Sequence, residues 1–109
     1  MARISDNELK GILEIFKQRF AAEIDPTARL ALFGSRARGD HLQESDVDLF
    51  IISPFFADLS FRERIIRVLE LWPRLDIWLE PICLTSEEFD RKRAQLTFIK
   101  EAHAQSRSL

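Results

Sequence analysis

Gly34-Ser-Arg-Ala-Arg-Gly-Asp-His-Leu-Gln-Glu-Ser-Asp-Val-Asp-Leu49 is a polar stretch set between two apolar ones. Before it, Arg29-Leu-Ala-Leu-Phe33 reads as a short buried strand. After it, Val47 to Ile52 reads as a second strand. Its fully apolar end, Leu49-Phe50-Ile51-Ile52, predicts burial on both faces. The connection begins as a tight turn at Gly34-Ser35 and has room for a short helix before Ser45.

Three features of this connection carry chemistry. A glycine where a strand ends lets backbone amides approach an anion closely, and the Ser35 hydroxyl adds a donor. Arg36, Arg38 and Gly39 follow, offering guanidinium groups to phosphate oxygens. Asp46-Val-Asp48 places two carboxylates at i and i+2, hence on one face of a strand. Paired hard oxygen ligands suit Mg²⁺. Asp48 lies in an otherwise apolar strand, where a charge needs a metal or an arginine beside it.

Outward toward the start, Ser5-Asp-Asn-Glu8 reads as a capping box. It opens a helix with Leu9, Ile12, Leu13, Phe16 and Phe20 as its apolar stripe, ended by Asp25-Pro26. Outward toward the end, a helix opens at Leu59 or Ser60 and runs to about Leu71, with Pro73 stopping it. Phe61, Ile65, Val68, Leu69 and Trp72 are expected on its inward side. A third strand is expected within Leu75 to Leu84. Thr85-Ser-Glu-Glu88 is another capping box, opening a helix from about Ser86 to Ala104 with Phe89, Leu96, Ile99 and His103 along one side. The order implies an α/β (α+β) domain, a short sheet covered by helices, as one unit over residues 1–109. Strand order and direction are not readable from this pattern.

Composition bounds the function. Sixteen Lys and Arg against eighteen Asp and Glu leave a net charge of −2, which argues against general nucleic-acid binding. Arg29, Arg36 and Arg38 are nevertheless expected to cluster around the Gly34-Ser35 turn as a local positive field. The single cysteine cannot form an internal disulfide, and no apolar run reaches the roughly 18 residues of a membrane span. With no apolar leader after Met1, the expectation is a cytoplasmic protein.

Gly34-Ser35, ten intervening residues, then Asp46-x-Asp48, flanked by Ala31-Leu-Phe-Gly-Ser-Arg-Ala-Arg-Gly39 and Ser45-Asp-Val-Asp-Leu49, resembles the signature of the minimal nucleotidyltransferases of the DNA polymerase β-like superfamily. The likeness continues through Ser60-Phe-Arg-Glu-Arg64 and Glu80-Pro-Ile-Cys-Leu-Thr-Ser-Glu-Glu-Phe89. The resemblance implies a short mixed sheet flanked by helices, like a polymerase β palm. It implies an ATP substrate with its phosphates at Gly34, Ser35, Arg36 and Arg38, and two Mg²⁺ ions on Asp46 and Asp48. In-line displacement at the α-phosphorus then releases pyrophosphate.

A third carboxylate on the next strand completes such sites. Asp76 and Glu80 are both expected in the third strand and on one face, but roughly 13 Å apart, so only one can join the cluster. Asp76 has the commoner residue type; Glu80 has the better register and is preferred.

The remaining candidates are read more plainly. His41 is read first as an exposed loop histidine and second as a contact to nucleotide or acceptor, and His103 as a cation at a helix end. Cys83 is a small core residue. Phe55-Phe56 and Trp78 are read first as core and second as partner surface. Arg91-Lys92-Arg93 is a solvated helix face.

The resemblance also implies a partner. Minimal members are often paired with a helical HEPN-domain toxin, onto which AMP is transferred. A 109-residue chain leaves no room for a separate acceptor domain, so a partner or a homo-oligomer is expected to complete the acceptor site. The alternatives are a non-catalytic partner-binding antitoxin, or nucleotidyl transfer to a small molecule or an RNA end.

Overall fold

The computed structural model describes residues 5–33, 47–74, 76–95 and 107–108. Gly34, Ser35, Arg36, Arg38, Gly39, His41, Asp46, Leu96, Ile99 and His103 lie outside the described residues.

Helix α1 spans Asp6–Glu23. Its capping box is formed: Glu8 N donates to Ser5 Oγ at 3.1 Å, and Ser5 N donates to Glu8 Oε1 at 3.3 Å. The five stripe residues Leu9, Ile12, Leu13, Phe16 and Phe20 are all buried. Strands β1 (Arg29–Phe33) and β2 (Val47–Ile52) have the expected bounds. A 3-10 segment, Pro54–Asp58, then leads into α2 (Phe61–Leu69), β3 (Leu79–Leu84), α3 (Ser86–Gln95) and β4 (Arg107–Ser108). The 3-10 segment and β4 were not anticipated by the sequence pattern.

The sheet order is β3-β2-β1-β4. β1 pairs antiparallel with β2 and with β4, whereas β2 and β3 are parallel. The sheet is therefore mixed. A parallel neighbour needs a long crossover, which α2 supplies.

Strand alternation sorts the side chains onto two faces. Leu30, Leu32, Val47, Leu49, Ile51, Leu79 and Cys83 join the larger core with the α1 stripe, Val68 and Trp72. Phe50, Ile52 and Leu84 form a smaller core on the opposite face with Phe89 of α3, the Phe50 and Phe89 rings meeting edge-on at 5.4 Å. Helices on both faces explain the unbroken apolar end of β2.

Helix α2 corrects one expectation. Phe61, Ile65 and Leu69 are 51%, 39% and 39% exposed, while Arg64 and Val68 are buried. The inward ridge carries an arginine because four hydrogen bonds meet its guanidinium there. Arg64 Nε donates to Leu59 O and Nη1 to Cys83 O, both at 3.1 Å, and the guanidinium pairs with Glu88. A charge so satisfied is tolerated inside, and the apolar ridge turns outward.

β3 is an edge strand, and it is shorter than expected. Val47 N donates to Trp78 O and Ser53 N to Leu84 O. The even-numbered residues of β3 therefore face β2, and Leu79, Pro81 and Cys83 turn their backbone groups outward. Pro81 has no N–H to offer there, and Arg64 takes the Cys83 carbonyl. Both blunt the edge against unwanted pairing.

Candidate active site

Asp48 is the second residue of β2 and is half-buried. Its neighbours Val47 and Leu49 are fully buried on the opposite face, so a slip of one residue would drive the carboxylate into the larger core. That constraint fixes Asp48 outward, in register with Phe33 of β1 on one side and Glu80 of β3 on the other. Residues in register on adjacent strands share a face, with the strands about 4.8 Å apart. Asp48 and Glu80 thus stand side by side, beyond the smaller core of Phe50, Ile52 and Leu84.

Asp76 is placed differently. It precedes β3 rather than lying in it, contrary to the expectation from sequence. Arg74 Nε and Nη2 hold its two oxygens at 2.8 and 2.7 Å. The bond from Arg74 lowers the Asp76 pKa. The strand starts late because Asp76 and Ile77 lie in a turn, where Trp72 Nε1 donates to Ile77 O at 2.9 Å.

Two anionic side chains in register repel one another unless a cation lies between them. Their hard oxygen donors fit Mg²⁺ in type. Among the described residues no group of three His, Cys, Asp or Glu side chains comes together to hold a metal, and Asp46 lies outside them.

Arg29 lies at the opposite end of β1 from Phe33, and the Gly34-Ser35 turn it was expected to flank is outside the described residues. It opens β1 opposite Ile52, about 13 Å along the strand from Phe33, and its Nη2 donates to Ser86 Oγ at 3.4 Å.

Other titratable groups are structural. Glu88 bonds Arg64 Nη1 at 2.6 Å and Nη2 at 3.1 Å and accepts from Thr85 N at 2.8 Å, completing the expected capping box. The Arg64 bond, ahead of the Thr85 bonds, pulls its pKa from 4.5 to about 2. Ser53, buried where β2 ends, donates to Asp25 Oδ2 at 2.6 Å, and Thr27 bonds the other oxygen. Those bonds, Ser53 first, lower the Asp25 pKa. Neither pairing was foreseen, although an arginine among the apolar positions of α2 was a signal. Cys83 is core as expected; burial pushes its thiol up to about 12, so it is a poor nucleophile. Phe56 is core as expected, Phe55 is half-buried, and Trp78 is exposed rather than core.

Residues 9–104 match the family model described as a nucleotidyltransferase domain. The chain belongs to that family. A putative protein adenylyltransferase of Methanocaldococcus jannaschii is 32% identical over 96 residues, covering 86% of this chain and 91% of that protein. A solved putative nucleotidyltransferase from Sulfolobus solfataricus shares the fold, with a TM-score of 0.52 at 23% identity over 81% of this chain and 82% of that one. A second solved putative nucleotidyltransferase gives a TM-score of 0.55 at 27% identity over 94% and 98%. The resemblance read from Gly34-Ser35 and Asp46-x-Asp48 is thereby borne out at the level of family, fold and nucleotidyl transfer. Among the described residues, no helix is long and apolar enough to cross a membrane.

Proposed function

We propose that the chain is a Mg²⁺-dependent nucleotidyltransferase that moves AMP from ATP to a hydroxyl of a partner protein. The observation that carries this reading is the Asp48–Glu80 register, two in-line carboxylates at one end of the sheet. The likeness to a putative protein adenylyltransferase supports the acceptor class. Asp46, Asp48 and Glu80 would hold the metal; Asp76 is not among them, being engaged with Arg74. Bound there, Mg²⁺ would neutralise charge developing on the phosphate oxygens.

The chain's own groups do the rest. Gly34 and Ser35 amides, with Arg36 and Arg38, bind the β- and γ-phosphates and meet the charge of the departing pyrophosphate. Glu80, the exposed member of the pair, takes the proton of the acceptor hydroxyl. The new bond joins that oxygen to the α-phosphorus, and the bond to the bridging α–β oxygen breaks. The partner we infer is a HEPN-domain protein, with this chain as the antitoxin of a cytoplasmic toxin–antitoxin pair. A non-catalytic partner-binding module is the second reading, favoured by the exposed Phe61, Ile65, Ile66 and Leu69 on α2.

The test is transfer of label from α-labelled ATP to the candidate partner with Mg²⁺. Label that vanishes in the Asp46→Ala, Asp48→Ala double variant supports transfer. A double variant that still neutralises the toxin in cells as well as the wild type does points to the binding module.

A further inference from the structure

Helix α2 turns an apolar face to water. At 3.6 residues per turn, Ile66 points directly away from the buried Arg64 and Val68, and it is 49% exposed. It marks the middle of that face, with Ile65 and Leu69 beside it. Phe61, at the edge, already has company: Arg64 Cζ and Lys92 Nζ lie 4.5 and 4.8 Å from its ring centroid. An apolar patch of this kind marks an interaction surface.

The charges on α2 say what covers it. Four are exposed, two of each sign: Arg62, Glu63, Arg67 and Glu70. Glu63 is engaged in the capping box with Ser60, and Arg67 Cζ lies 5.7 Å from the Phe55 ring centroid. Arg62 and Glu70 have no side-chain bond among the described residues. Both belong to the i±4 row of Ile66, one turn before it and one turn after, about 6 Å each way. Glu70 keeps that row because its backbone is still helical, its N–H donating to Ile66 O at 3.1 Å.

A row that reads positive, apolar, negative is complementary to itself reversed. A two-fold axis through Ile66 sets that residue against Ile66 of the other copy, and sets Arg62 against Glu70 of the other copy twice over. A parallel arrangement would set Arg62 against Arg62 and Glu70 against Glu70. A strongly acidic or basic partner finds no matching field, because the exposed signs balance. We propose that α2 is the contact between two copies of this chain, packed antiparallel with their i±4 rows interdigitated. A recess of about 280 Å³ at the carboxyl end of the helix, lined by Glu23, Ile24, Arg67, Glu70 and Leu71, lies where this register brings Arg62 of the other copy. Helix α2 joins the larger core through Val68, whereas Asp48 and Glu80 stand on the opposite face of the sheet, so the contact leaves the acid pair uncovered.

Sedimentation velocity on the full chain tests this. The wild type is expected to dimerise with a dissociation constant of about 100 µM or tighter. Ile66→Asp weakens the dimer about tenfold or more while circular dichroism shows the fold unchanged. Arg62→Glu and Glu70→Arg each weaken it about tenfold, and an equal mixture of those two variants recovers association to within about threefold, since each mixed pair restores both contacts. A wild type that stays monomeric at about 500 µM overturns the proposal. So does a dimer that survives Ile66→Asp, which would use another face, or a charge-reversed mixture that fails to associate. If the wild type is monomeric and Ile66→Asp instead abolishes binding to the candidate helical partner protein, the face belongs to that partner and the proposal falls. None of these outcomes bears on nucleotidyl transfer, which the labelled-ATP assay decides separately.

Discussion

At the carboxyl ends of β2 and β3, Arg64 of α2 is bonded to Glu88 of α3 and to the Cys83 carbonyl, and Ser53 is bonded to Asp25. At the amino ends of the same strands, Asp48 and Glu80 stand in register with like charge. The first arrangement braces the fold: every short contact joins a donor to an acceptor. The second sets two like charges directly opposite one another on adjacent strands, which disfavours the pairing. On the proposed reading, one strand pair separates stability from chemistry by about five residues, and the separation can be tested from each end.

The largest effect is expected at the amino end. Asp48→Asn and Glu80→Gln each lower nucleotidyl transfer on the order of 10³-fold in a labelled-ATP assay. In chelator, Glu80→Gln raises the unfolding free energy by a few tenths of a kcal/mol, about the scale of a cross-strand charge pair. Asp76→Asn leaves transfer within about twofold. Transfer that survives Glu80→Gln but not Asp76→Asn would reverse the assignment of the two acids.

At the carboxyl end the order is inverted. Arg64→Ala leaves Glu88 without its partner and costs about 3 kcal/mol in urea unfolding. A loss below about 1 kcal/mol would mean that the Arg64 cluster is an ordinary surface pair. The same bond makes stability depend on acid. Glu88 titrates near 4.5 when unfolded and at about 2 when folded. Its contribution is present above the unfolded value and is lost as pH falls from there through about 2. Urea midpoints between pH 5 and 2 should therefore fall more steeply in the wild type than in Glu88→Gln. The smallest effect is that of Ser53→Ala, about 1 kcal/mol, with the Asp25 pKa moving up toward its ordinary value in an NMR titration.

How much of this was legible in the sequence depends on how local each feature is. The five α1 stripe positions and the bounds of β1 and β2 follow from spacing within a few residues, and they agree with the structure. The Thr85-Glu88 capping box was visible for the same reason. The inward side of α2 was not. Its apolar ridge runs through Phe61, Ile65 and Leu69, and only the acceptors on Leu59, Cys83 and Glu88 make the Arg64 ridge the buried one. Arg29 and Phe33 stand at the two ends of β1, about 13 Å apart, a separation that closeness in sequence hides.

By itself the sequence determined the order of the three helices and the first three strands, the two-faced burial of β2, the Asp46-Val-Asp48 pair and the family to which Gly34-Ser35 points. Those are properties of neighbouring residues and of a period of 2.0 or 3.6. Tertiary structure alone decided that β3 lies parallel beside β2, that Glu80 and not Asp76 is level with Asp48, and that Trp78 faces outward beside them. Asp76 and Glu80 are four residues apart, so a period of two places both on one face. Only the point where β3 begins, and its lateral registry against β2, tells them apart.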